Sequence, residues 1–140
     1  MTITEIQDQI VDEFSMFDDW MERYEYIIEL GKKLPLINEE FKTEENIIKG
    51  CQSKVWLNGE QNDGLIVFTA DSDAILTKGI IAILIRAFSN QKAEDILAAD
   101  MGFIDEIGLK EHLSPTRANG LVSMIKNIKM YALAFDSKKE

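Results

Sequence analysis

The chain has one cysteine, one histidine and two prolines in 140 residues. A lone cysteine, Cys51, rules out an internal disulfide. With His112 as the only histidine, there are too few ligands for a self-contained zinc or iron–sulfur site, which gathers several Cys and His side chains, so no metal site is expected. Cations are scarce as well: 15 Lys and Arg against 25 Asp and Glu leave a net charge of −10. That balance argues against a nucleic-acid partner, because gripping a phosphate backbone needs a basic face. The longest apolar run, Ile80 to Ile85, falls far short of the ~20 residues that cross a bilayer, so no membrane partner is expected. Met1 to Ile10 is polar and acidic rather than basic then apolar, which leaves a cytoplasmic location as the default.

What remains suits a single domain over residues 1–140, a length that buries about two thirds of its unfolded surface. Thr2 or Thr4 can open a first helix, with Glu5 near its positive end and Ile6, Ile10, Val11 and Phe14 facing inward. A second helix starts near Asp18 or Asp19 and carries Phe17, Trp20, Met21, Tyr24, Ile27 and Ile28 as one stripe. It ends where Gly31 and Pro35 break it. Leu36 to Ile47 has no periodicity and reads as irregular. Ser53 to Asn58 alternates as a strand, Gly59 to Gly64 reads as a turn, and Leu65 to Ala70 as the returning strand. A lone hairpin is marginal in water, so helices must cover one face, and there is room for a third strand.

Asp71-Ser72-Asp73 supplies caps for a third helix from Ala74 to Phe88. Its interior, including Ile75, Leu76, Ile80, Ile81, Ile83 and Leu84, is aliphatic enough for the centre of the core. Gly79 inside it points to close packing against the sheet. Lys92 to Ala99 and Phe103 to Ile107 read as short helices. Ser114 then caps a last helix with Pro115 at its first position, and Leu121, Ile125, Ile128, Ala132 and Phe135 form its stripe. Arg117 in that first turn opposes the helix dipole, so a local carboxylate or carbonyl is expected to hold it. Asp136 to Glu140 is expected to fray. The fold class is α+β, helices packed on a small antiparallel sheet.

Chemistry concentrates at Lys49-Gly50-Cys51-Gln52-Ser53-Lys54, where an irregular segment runs into a strand. A polar, glycine-led junction is a poor place for a packing residue, so Cys51 is the candidate nucleophile. Gly50 lets the backbone turn and a second molecule approach. Lys49 and Lys54 flank the thiol with positive charge, which favours thiolate. If the strand's alternation runs back from Val55, Cys51 falls on the core-facing side and rests partly tucked. The alternative class of function is a cysteine-nucleophile hydrolase or transferase pairing Cys51 with His112.

Gly50-Cys51-Gln52-Ser53-Lys54-Val55-Trp56 resembles the signature around the acceptor cysteine of the SufE family of sulfur-acceptor proteins. Three further stretches resemble that family in order. Trp20, Tyr24 and Ile27-Ile28-Glu29-Leu30-Gly31 match its second helix, and Asp71-Ser72-Asp73-Ala74 with Lys78-Gly79 its strand-to-helix junction. Leu113-Ser114-Pro115-Thr116-Arg117 with Gly120-Leu121 matches its last-helix opening. The resemblance implies a SufE/IscU-like fold and a SufS-type, pyridoxal-phosphate-dependent cysteine desulfurase as partner. It implies that Cys51 takes persulfide sulfur from that desulfurase, that the protein stimulates it, and that the sulfur passes to a SufBCD-type iron–sulfur scaffold. The protein itself would be a carrier without a cofactor, the pyridoxal phosphate belonging to the partner. Lys49, Gly50, Gln52, Ser53 and Lys54 would form the active loop, and Asp73 and Arg117 a docking or supporting network. The sister CsdE group shares these motifs. Where some members carry a second cysteine in the N-terminal helices, this chain has Met16 and Phe17, which excludes chemistry needing two thiols.

Overall fold

The computed structural model describes residues 1–137. Helix α1 (Ile3–Ser15) opens with a capping box: Thr2 accepts from the Glu5 N–H while the Glu5 carboxylate accepts from the Thr2 N–H. Helix α2 (Trp20–Gly31) is capped by Asp19. Only Ile27 and Gly31 of α2 are buried, and Met21, expected in its inward stripe, is exposed. The segment to residue 47 is irregular apart from two single 3₁₀ turns, Glu39–Phe41 and Glu44–Asn46.

Strands β1 (Val55–Asn62) and β2 (Leu65–Ser72) pair antiparallel, Val55 opposite Ser72 and Asn62 opposite Leu65. The hairpin is longer than its sequence pattern suggests. Gly59 to Asn62 belongs to β1, and the turn is only Asp63-Gly64, both at positive φ, as a two-residue hairpin of this twist requires. Gly59 lies within β1, where the rings of Phe68 and Tyr131 occupy the space a Cβ would need, each 3.0 Å from it. Among the described residues no third strand joins. Isolated bridges at Leu36–Ala70, Ile47–Trp56 and Ile66–Gln91 pair short parts of the sheet edges instead.

Helix α3 (Ile75–Phe88) is the buried centre, although Ile75 at its start is 68% exposed. The proposed caps do not cap it: its N-cap is Ala74, with no side-chain bond to the first turn. Asp71 instead holds Lys42 at 2.6 Å and Lys78 at 3.2 Å, and Asp73 accepts the Lys54 N–H. Gly79 does mark a close approach, but to α2 rather than the sheet. A Cβ there would sit 2.8 Å from the Ile27 carbonyl carbon, and one on Gly31 would sit 2.9 Å from the Gly79 nitrogen.

Helices α4 (Ala93–Ala98), α5 (Gly102–Glu106) and α6 (Leu109–His112) lead to α7 (Pro115–Ser137). Ser114 caps α7 through the Arg117 N–H, as its sequence indicates. Leu121, Met124, Ile128 and Ala132 bury its inner face. Of the tail expected to fray, Asp136 and Ser137 continue the helix, and residues 138–140 lie outside the described residues. The architecture is α+β, with helices packed on a two-stranded antiparallel sheet. No helix is long and apolar enough to cross a membrane among the described residues.

Candidate functional site

Cys51 sits in a six-residue loop with a closed neck. The Ile48 N–H donates to the Val55 carbonyl at 2.8 Å, and Ile47 pairs with Trp56 just beyond. Ile48 and Val55 are both fully buried, so residues 49–54 leave the core and return to it at one point. A bend at Gln52-Ser53 interrupts the strand geometry, so alternation does not run back from Val55 to the thiol. The thiol is nonetheless half-buried and packs on the core, as expected, because the loop folds down onto α7.

Two glycines allow that descent. Gly50 has φ +94°, a conformation that disfavours any residue with a Cβ, and a Cβ there would meet the Ser123 Oγ at 2.6 Å. Gly120 presents bare helix backbone to the thiol: a Cβ would lie 3.3 Å from the Cys51 Sγ. The Sγ–H points at the Gly120 carbonyl, 3.7 Å away. Thr77 and Ile80 of α3, with Thr116, Arg117 and Met124 of α7, complete the cleft. Its free space is ≈ 10 Å³, enough for about one water molecule.

The electrostatics run against the sequence expectation. Burial pushes the Cys51 thiol above its ordinary value, and no lysine offsets it. Lys54 is exposed, and Lys49 is also exposed, lining a separate surface depression with Ser123 and Lys126. Charge adjacent in sequence is therefore screened by solvent, while desolvation acts directly on the sulfur. Burial therefore favours the thiol over the thiolate.

The other candidates fall into two groups. Gln52, Ser53 and Arg117 line the cleft with Cys51. Arg117 lacks its expected partner, since its guanidinium makes no hydrogen bond or ion pair among the described residues. Asp73 stands behind the loop: its carboxylate accepts the Lys54 N–H at 3.1 Å, its own N–H donates to the Lys54 carbonyl, and Ser72 Oγ donates there too at 2.8 Å. Asp73 thus fixes the loop's exit from the back. His112 belongs elsewhere. It stacks on Trp20 at 4.2 Å with Nδ1 on the Gly108 carbonyl, and it does not line the cleft, which corrects the proposed dyad. Gly120 was the residue that sequence reasoning left without a role. Its signal was a glycine inside a helix, which marks a close approach.

The family model described as SufE, Fe-S metabolism associated domain, matches residues 8–132. The chain belongs to the SufE family. An uncharacterised SufE-like protein of Rhizobium meliloti (strain 1021) is 46% identical over 130 residues, covering 89% of this chain and 93% of that one. A second SufE-like protein, from Rhizobium etli, is 45% identical over 127 residues, covering 87% and 86%. The solution structure of a hypothetical protein from Thermus thermophilus shares the fold at TM-score 0.77 over 92% of this chain and 94% of that one, at 18% identity. Family membership gives the chain a sulfur-transfer role in Fe–S metabolism. Among the described residues no group of three or more His, Cys, Asp or Glu could hold a metal.

Proposed function

We propose that Cys51 is the sulfur acceptor of this SufE protein. It takes a sulfane sulfur from the persulfide of a SufS-type cysteine desulfurase, stimulates that enzyme by clearing it, and passes the sulfur to a SufBCD-type scaffold in the cytoplasm. The chain acts as a carrier, and the pyridoxal phosphate stays with the desulfurase. The observation that carries this reading is the sole thiol, held half-buried in a cleft with room for about one more small group.

In the transfer, Cys51 first loses its proton. Its sulfur then attacks the outer sulfur of the donor persulfide, one S–S bond forms as the donor's breaks, and the donor cysteine leaves as thiolate. Nothing is oxidised or reduced overall. Burial opposes the first step, so the partner must draw the loop into a more polar setting before the thiol reacts. The unpaired Arg117 guanidinium stands ready to steady the negative charge on sulfur, and Gln52 and Ser53 offer polar groups on the same wall. Asp73 supports the loop rather than touching the thiol.

Mass spectrometry after incubation with a cysteine desulfurase and free cysteine tests the assignment. One added sulfur on the peptide carrying Cys51, absent in Cys51→Ser, is the expected result. Sulfur that is retained in Cys51→Ser, or never acquired by the wild-type chain, overturns it.

A further inference from the structure

A second cavity, of ≈ 510 Å³, opens between α1, α2, α3 and β2 and shares no lining residue with the Cys51 cleft. Its volume lies in the range of sites that enclose small organic ligands. The wall is mixed: Leu30, Val67 and Ala82 supply an apolar part, and Tyr26, Ser89 and Asn90 a polar one. At its edge sits an ionic network. Arg86 grips Glu13 through two bonds of 2.6 and 2.5 Å, and the Tyr26 hydroxyl donates to the same carboxylate.

That network decides the sign of charge the cavity prefers. Glu13 is already saturated by Arg86 and Tyr26, which hold its carboxyl below the ordinary range with Arg86 as the larger cause, so it has little left for an incoming cation. The lining groups with capacity to spare are donors. Lys33, whose charge also acts on Glu13, makes no hydrogen bond or close ion pair with its ammonium among the described residues. Arg86 has N–H groups beyond those engaged by Glu13 and Tyr26. Asn90, held at φ +61° with its N–H on the Ile66 carbonyl, presents an unbonded side-chain amide. Glu13, Arg86 and Lys33 together leave one positive charge, in a chain whose total is −10.

We propose that this cavity binds a small amphipathic anion, an apolar body with a single carboxylate at one end. The body lies against Leu30, Val67 and Ala82, and the carboxylate meets Lys33 and the spare Arg86 N–H groups at the mouth. The assignment is independent of sulfur transfer, because no cleft residue takes part.

Titration of ¹⁵N-labelled protein with octanoate, octylammonium and octanol tests it. Octanoate should bind saturably at about millimolar or tighter, the range open to a ligand of that size, and shift amides of Leu30, Val67, Ala82 and Arg86. Octylammonium should bind about tenfold more weakly or not at all. Ala82→Leu fills the cavity and should abolish the shifts. Should that variant fail to fold, Lys33→Glu, at an exposed position, should weaken octanoate about fivefold or more while improving octylammonium. Equal binding of all three probes, no saturable shift with octanoate, or octanoate affinity unchanged in a folded Ala82→Leu or Lys33→Glu protein overturns the proposal.

Discussion

Two places in the molecule depend on missing side chains, and they are built differently. Where α2 crosses α3, Gly79 and Gly31 bring backbone against backbone. Where the Cys51 loop lies on α7, Gly50 and Gly120 bring a loop against side-chain ends, the Ser123 hydroxyl and the Cys51 sulfur. Backbone has no way to step aside; a side-chain end does. The first contact locks two helices of the core, whereas the second rests on side-chain ends that can rotate away. Under the proposed carrier role, the first contact would be the fixed frame and the second the seat from which the loop lifts.

The contrast is broken most severely at the helix crossing. Gly79→Ala should cost about 3 kcal/mol or more, because overpacking here pushes on a carbonyl rather than a rotamer. A fall in the denaturation midpoint of roughly ten degrees or more by circular dichroism is the expected reading; an unchanged midpoint would show that the crossing yields after all. Gly50→Ala should cost less, about 1–2 kcal/mol, from the left-handed backbone alone. Combining it with Ser123→Ala separates its two causes. A loss that persists in the double variant belongs to the backbone, and one that disappears belongs to the hydroxyl contact.

Gly120→Ala comes next. Alanine is the better helix former by about 1 kcal/mol, so stability should hold or rise, while the new methyl crowds the sulfur. Alkylation of Cys51 should quicken several-fold in a protein that melts no earlier. Slower labelling would mean the loop settles deeper instead. The smallest effect expected is none: Lys49→Glu with Lys54→Glu should leave the thiol's titration unmoved, because burial is what raises it. The sign follows from that cause. A thiol raised in the folded state favours its protonated form, so its contribution to stability is present at neutral pH and fades as pH climbs past the ordinary thiol value. Alkylation against pH should accordingly rise at higher pH than for a free thiol, in wild type and double variant alike.

These distinctions explain what could be read from the sequence. Ser114-Pro115, Thr2 with Glu5, and the aliphatic run of α3 are local signals, and all three hold in the structure. The loop cysteine and its shelter were also legible, although the shelter comes from α7 and not from strand alternation. What failed depended on distant partners. A glycine in α3 announces a close neighbour without saying whether it is sheet or helix. Asp71 looks like a cap until Lys42, far back in the chain, takes its carboxylate; burial pushes that carboxyl up, yet Lys42, the Ser72 N–H and Lys78 together hold it below its ordinary value. The flanking lysines were given the weight in the sequence and the desolvation of the tucked sulfur was not, so the direction of the thiol's shift came out reversed. The Asp63-Gly64 turn was hidden because Gly59 and Gly64 bracketed a polar stretch that looks like one long turn.

The closed neck of the loop fixes how far its sulfur can travel. Cys51 is three residues beyond Ile48, and three fully extended residues span at most about 10 Å. With the neck intact, the thiol is tethered to a sphere of that radius, plus its own side chain, centred at the edge of the sheet. In the proposed transfer, any donor or recipient must bring its reacting atom inside that sphere, so most of the approach falls to the visitor.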